Sequence, residues 1–400
     1  MNTRISDFFK NTKVATGQAF FNRGTTLTHL TNLIEDVQGA WICGYRRFGK
    51  TSLAEHACYV LKEDPSRIGV ERIVWAKMDW ALAASPDLAL RELMSKVEQL
   101  ACELSSAKSG EKHLKQIFAA FMPSFSFAGE DSKITMKFGL SNPTPEALVD
   151  ALNALDELAH KKNARIVFIF DEFQELYEMD GERVEWQIRN ALQHAKATSY
   201  IFAGSNRRLM EKAFSDSGRA LYAQCQPVEI GPLPLEDCLT HLQQASEQLP
   251  VQVEADAMKL IVSLTKGHPR DFARLSYRCF STRTDINLDL VTTKWQEVIA
   301  ETKSELHARL GEKVTSRKRG EMILLYAIAR TSPKKIASAA MQSLTGLSVN
   351  ALKNALKHLI DQSLVHINNG RHELIEPSYQ YALQEISANY FEKSLINKVE

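Results

Sequence analysis

The chain contains no Cys-x-x-Cys pair. Its cysteines (Cys43, Cys58, Cys102, Cys225, Cys238, Cys279) are scattered, which argues against a structural zinc site and a disulfide framework. Reduced thiols in a cytoplasmic setting are the simple expectation. No apolar run approaches the roughly 18 residues of a membrane-spanning helix, so no membrane role is expected. Residues 1–10 are too polar for a signal peptide. Low-complexity tracts, internal repeats and nuclease or protease signatures are also missing. Net charge is nearly absent, with 49 Lys and Arg against 48 Asp and Glu. Nothing global therefore draws the chain to nucleic acid or membrane, and any such site must be a local patch. What is present is a chain of 400 residues, enough for two or three domains.

The most informative stretch is Gly44-Tyr45-Arg46-Arg47-Phe48-Gly49-Lys50-Thr51-Ser52, which fits G-x-x-x-x-G-K-[ST]. Residues 40–43 before it read as a buried strand, and residues 52–57 after it as a helix start. Strand, glycine-rich loop and helix form the context a phosphate-binding loop requires. Glycines let the backbone wrap close to phosphate oxygens, and the amides of the loop and helix N-terminus then face the anion. In this arrangement Lys50 reaches the β- and γ-phosphates and Thr51 ligates Mg²⁺. Arg46 and Arg47 occupy variable loop positions and are read as pointing toward a lid or a partner. Upstream, Arg23 precedes a helical pattern at Leu27, Leu30, Leu33 and Ile34. It either lines the base or ribose of a nucleotide or is a surface arginine.

A second landmark is the apolar run at residues 166–170, preceded by Arg165, which ends in Asp171-Glu172. A strand buried on both faces that ends in two acids needs a cationic partner, and Mg²⁺ bound to nucleotide supplies one. Asp171 then holds the metal, directly or through water, and Glu172 polarises the attacking water. This is the Walker B pattern of hydrolases with an extra strand between the two Walker strands. A further strand at 199–204 ends in Ser205-Asn206-Arg207-Arg208. Ser205 or Asn206 is placed to sense γ-phosphate or orient water. Arg207 and Arg208 read either as charge-stabilising arginines, in cis or across a subunit boundary, or as a solvated helix start. Arg219 is a weaker candidate of the same kind. Asp79, ending a strand at 73–79, reads as a ligand-site residue or a plain strand end.

Between these landmarks, residues 86–122 read as helical, and alternating residues around 123–140 read as a hairpin inserted between core elements. Residues 235–310 read as helices broken at Gly267-His268-Pro269-Arg270, where Arg270 can contact nucleotide phosphates from a lid and Arg274 follows one turn on. In residues 313–400 the patterns predict helices at 318–329, 336–341 and 349–361, then a hairpin turning at Asn369-Gly370. That is a winged helix-turn-helix. Lys353, Lys357 and Arg371 are its candidate DNA contacts, with Asn350, Asn354 and His358 beside them. Many such domains bind protein instead.

Arg46-Arg47-Phe48-Gly49-Lys50-Thr51-Ser52-Leu53, Phe170-Asp171-Glu172-Phe173-Gln174-Glu175-Leu176, Phe202-Ala203-Gly204-Ser205 and Gly267-His268-Pro269-Arg270 together resemble the archaeal-type ATPases, a STAND-related, AAA+-like group of P-loop NTPases. The resemblance covers roughly residues 20–385. It implies an α/β P-loop NTPase core with a five-stranded parallel sheet, a helical lid and a C-terminal winged helix, with ATP and Mg²⁺ bound at the core. In domain terms this gives a core at 1–234, a lid and connecting helix at 235–312, and a winged helix at 313–400. Gly24 and Thr26 stand where family members usually carry acids. Relatives act as switches in DNA metabolism, mobile elements and phage defence. The resemblance thus implies an ATPase switch whose partner is DNA, a separate effector protein or a second copy of itself.

Overall fold

A computed structural model describes residues 3–10, 14–105, 125–128, 135–138, 144–179, 181–310 and 316–396. The chain divides into two compact units. A sheet unit comprises Arg23–Gly44 and Gly49–Ile230, and a helical unit comprises Met1–Asn22, Tyr45–Phe48 and Gly231–Glu400.

In the sheet unit the strands are β1 (Gly39–Cys43), β2 (Arg72–Asp79), β3 (Phe125–Ala128), β4 (Thr135–Phe138), β5 (Ala164–Asp171), β6 (Thr198–Gly204) and β7 (Cys225–Glu229). Five of them form a parallel sheet in the order β2-β5-β6-β1-β7. The three inner strands are buried along nearly their whole length, as their apolar runs require. The edge strands show their position in their residues. β2 alternates in burial and β7 carries Pro227, which only an edge tolerates. On one face Trp80, Phe168, Phe170, Phe173, Phe202 and Phe214 pack together, with Phe173 and Phe202 4.7 Å apart between ring centroids. Full burial of each such ring contributes about 2–3 kcal/mol. β3 and β4 pair antiparallel as the inserted hairpin, with Phe125 opposite Phe138. The helix expected over 86–122 spans Pro86–Leu104, started by the Ser85 side chain accepting from Leu88 N–H. Residues 106–122 lie outside the described residues.

Arg219 belongs to an internal triad. Its Nη2 donates to the Glu185 carboxylate at 2.6 Å, and its guanidinium lies 4.1 Å from the centre of the Tyr177 ring. Tyr177 Oη also donates to Glu185, at 3.1 Å. Burial pushes the Glu185 carboxyl up, and Arg219 opposes that shift. Glu185 is 1% exposed, so removing its cation leaves a buried charge unpaired. Arg219→Met is expected to destabilise the sheet unit by about 3 kcal/mol. The check is a fall in the urea midpoint at unchanged nucleotide affinity.

The helical unit draws on three stretches of the chain. Near the N-terminus Phe8 and Phe9 are buried among Phe272, Phe280 and His241 of this unit. Residues from 235–310 and from 316–396 contribute to one apolar cluster. Helix Pro269–Ser281 presents Arg270, Arg274 and Arg278 at four-residue spacing, and helix Leu288–Leu310 presents Glu305, Glu301 and Glu297. They pair as a ladder: Arg270 with Glu305 at 2.8 Å, Arg274 with Glu301 at 2.6 Å, and Arg278 with Glu297 at 2.9 Å. Helices Ser316–Thr331, Ala339–Thr345 and Val349–Asp361, with strands β8 (Val365–Asn368) and β9 (Arg371–Leu374), form the winged helix-turn-helix. Its middle helix starts later than the expected residue 336, because the Ser338 hydroxyl accepts from Met341 N–H and fixes the start there. Among the described residues no helix is long and apolar enough to cross a membrane.

Candidate nucleotide site

β1 delivers the chain into the loop, and helix Lys50–Glu63 takes it out. Gly49 precedes that helix at φ +86°, a left-handed conformation that suits glycine. Lys50 is buried, and its Nζ donates to Gly44 O at 3.1 Å. Thr51 Oγ1 donates to Asp171 Oδ2 at 2.6 Å, so the expected magnesium ligands of two distant segments meet at the end of β5. Burial pushes the Asp171 carboxyl up, against the Thr51 bond that stabilises its charge. Asp79 lies beside Asp171 in the β2–β5 register and accepts from Ala81 N–H at 3.0 Å.

Glu172 leaves the strand at φ +47°. Its Oε2 accepts from Ser205 Oγ at 2.7 Å and from Gln174 Nε2 at 2.7 Å. Of the two candidate sensors, Ser205 therefore stands at the glutamate, while the Asn206 side chain accepts from Leu209 N–H and caps helix Arg207–Ser215. Arg207 is exposed and bonded to Glu211 at 2.7 Å and Glu229 at 3.4 Å, and Arg208 is exposed. Arg23 is half-buried in a left-handed conformation at the start of helix Gly24–Glu35.

The four residues between the loop glycines fold with the helical unit. Tyr45 meets His366 of β8 edge-on at 5.3 Å, and Phe48 meets His268 edge-on at 5.2 Å. Arg46 is exposed and Ser52 half-buried. Arg47 Nη1 donates to both Glu376 oxygens, at 2.8 and 2.7 Å, and to Tyr379 Oη at 3.1 Å. Burial alone would lower the basicity of Arg47, but Glu376 and Tyr379 hold the guanidinium above its ordinary value. Glu376 is also taken by Arg270 at 3.3 Å, and Pro269 opens the helix that carries Arg270. Burial keeps His268 below the usual imidazole range, and its Nδ1 accepts from Asp271 N–H to cap that helix.

On the winged helix, Lys353 and Lys357 are exposed one turn apart, and exposed Arg371 donates to Ser332 O at 3.2 Å. This brings the wing beside exposed Lys334 and Lys335, which the sequence reading passed over. Glu305 went unread, although the four-residue spacing of Glu297, Glu301 and Glu305 is a signal for it. Glu376 had no local signal, because its partners are more than 100 positions away.

No family model matches the sequence, and no curated protein matches it either. The structure is similar to the Walker-type ATPase PABY2304 of Pyrococcus abyssi, with a TM-score of 0.66 at 16% identity over 92% of this chain and 97% of that one. It is also similar to the ORC2 protein of Aeropyrum pernix in ADPNP-ADP complexes, with a TM-score of 0.57 at 14% identity over 97% and 98% of the two chains. The ADP form of that ORC2 protein matches with a TM-score of 0.52 at 16% identity, again over 97% and 98%. By sheet order, loop and C-terminal architecture, this chain has the fold of a P-loop NTPase with a winged helix.

Proposed function

We propose that the protein is a Mg²⁺-dependent ATPase of the archaeal-type, STAND-related kind, working as a conformational switch that controls a separate effector protein or its own assembly. The observation that carries this reading is the divided phosphate loop. Its glycine ends and Lys50 fold with the sheet, while Tyr45, Arg47 and Phe48 are held by side chains of the helical unit. In this reading, nucleotide binding at the loop alters the contacts of these three residues with His366, Glu376 and His268. A switch needs such differential contact between states.

Loop amides and Lys50 bind the phosphates in this reading, and Thr51 and Asp171 offer the hard oxygen donors that suit magnesium. Glu172 polarises the water, and Ser205, bonded to it at 2.7 Å, senses the γ-phosphate. The neighbour described as an ATPase and the one solved with ADPNP and ADP support ATP as the ligand. ATP turnover by the purified protein beside Lys50→Ala and Glu172→Gln tests the reading, and equal rates in all three overturn it.

A second reading, ATP-gated DNA binding, is favoured by one observation. Residues 316–376 carry nine Lys or Arg against four Asp or Glu, in a chain that is otherwise balanced. Neutralising Lys353, Lys357 and Arg371 together is then expected to weaken duplex binding and to flatten its log–log salt dependence by roughly three. Absence of duplex binding by the intact protein at low salt removes this reading.

A further inference from the structure

Gln174 is buried, 4% exposed, two residues beyond Glu172. Its amide is engaged at both ends. Nε2 donates to Glu172 Oε2 at 2.7 Å and lies 3.5 Å from Ser205 Oγ, while Oε1 accepts from Ser205 N–H at 3.2 Å. Only one orientation of the amide satisfies both ends, with NH₂ toward the carboxylate and C=O toward the backbone N–H. A second contact of Nε2, to Glu175 at 3.3 Å, is longer. The neighbouring backbone makes room for this amide. A Cβ on Gly204 would stand 2.6 Å from Gln174 Oε1 and 2.4 Å from Met210 Sδ, so a side chain there would have to displace it. Turn bonds fix the segment itself, from Phe173 N to Ala203 O at 2.9 Å and from Tyr177 N to Gln174 O at 3.1 Å. One buried amide thus ties the end of β5 to the tip of β6.

We infer that Gln174 is a positioning residue for ATP hydrolysis, holding the Glu172 carboxylate and Ser205 in one fixed arrangement. This rests on the ATPase reading above. In the step it serves, water oxygen bonds to the γ-phosphorus while the bond to the β–γ bridging oxygen breaks, its electron pair leaving with ADP. Glu172 draws on the proton of the attacking water. A carboxylate free to swing spends most of its time where it cannot do this, so its placement affects turnover more than ATP affinity.

The test compares steady-state and single-turnover ATP hydrolysis, together with fluorescent-nucleotide binding, in the full chain. Gln174→Met keeps the length of the side chain and removes both polar ends. Gln174→Glu keeps the acceptor for Ser205 N–H but sets a second carboxylate against Glu172, and serves if the first variant does not fold. Either is expected to lower kcat by about tenfold or more, with the Kd for ATP within about twofold of the parent. The double variant Glu172→Gln/Gln174→Met is expected to be no slower than Glu172→Gln, because a residue acting through Glu172 has nothing left to position. Turnover within twofold of the parent in both single variants overturns the inference, as does a full additional loss in the double variant. A parent chain that turns over ATP no faster than Lys50→Ala overturns the ATPase reading and this inference with it. That outcome is distinct from a parent that is active and indifferent to Gln174.

Discussion

Glu172→Gln is expected to cut ATP turnover by about 10²–10⁴-fold while leaving ATP bound, the range typical for loss of a positioned general base. The side chain is isosteric, and its amide oxygen can still accept from Ser205. The groups expected to bind nucleotide are untouched: Lys50 on Gly44 O, and Thr51 on Asp171. The defect should therefore fall on kcat. Lys50→Ala should fail differently. Lys50 is 5% exposed, and truncating a buried charged donor facing an anion costs about 2–5 kcal/mol, so ATP affinity itself is expected to fall thirtyfold or more. Single-turnover rates and equilibrium binding separate the two defects. A Glu172→Gln chain that hydrolyses ATP at the parent rate would remove Glu172 from the chemistry.

Arg47 carries the second prediction. It stands at φ +67°, in the middle of the loop. For a residue with a Cβ this conformation costs about 1–3 kcal/mol and persists only when its surroundings impose it. Here the surroundings are the two bonds to Glu376 and the one to Tyr379. Arg47→Ala keeps the strain and loses the anchor. The loop should then sample other conformations, and the Kd for ATP should rise about tenfold. Arg47→Gly loses the same anchor but also the strain, so it should bind ATP within about twofold of the parent. Glu376→Ala should weaken ATP binding as Arg47→Ala does. It should also destabilise the helical unit by about 3 kcal/mol, because a carboxylate 5% exposed and shared by two arginines is lost. Equal affinities for Arg47→Ala and Arg47→Gly would show that backbone strain is not what Glu376 opposes.

Much of the fold was legible because the signals are local. The run at 166–170 reads as an inner strand, the Asn369-Gly370 turn as the close of a short hairpin, and serines at 85, 338 and 348 start helices in the structure. The five-stranded parallel sheet, which the family resemblance implied, is present. What was not legible depends on pairing across the chain. The placement of Phe8 and Phe9 depends on His241 and Phe272, more than 200 residues away, and no periodicity in residues 1–20 announces that. Lys334 and Lys335 became part of the winged-helix surface only when β9 docked beside Ser332 and Pro333.

The phosphate loop divides along the same line. The sequence determined by itself that a glycine-flanked loop enters a helix carrying Lys50 and Thr51, because backbone freedom at Gly49 and amides at a helix start are properties of a few neighbouring residues. Only the tertiary structure decided what Tyr45, Arg47 and Phe48 do. Their partners His366, Glu376 and His268 come from segments more than 200 positions downstream, and long-range contacts of that kind are chosen by packing and charge complementarity rather than by local pattern.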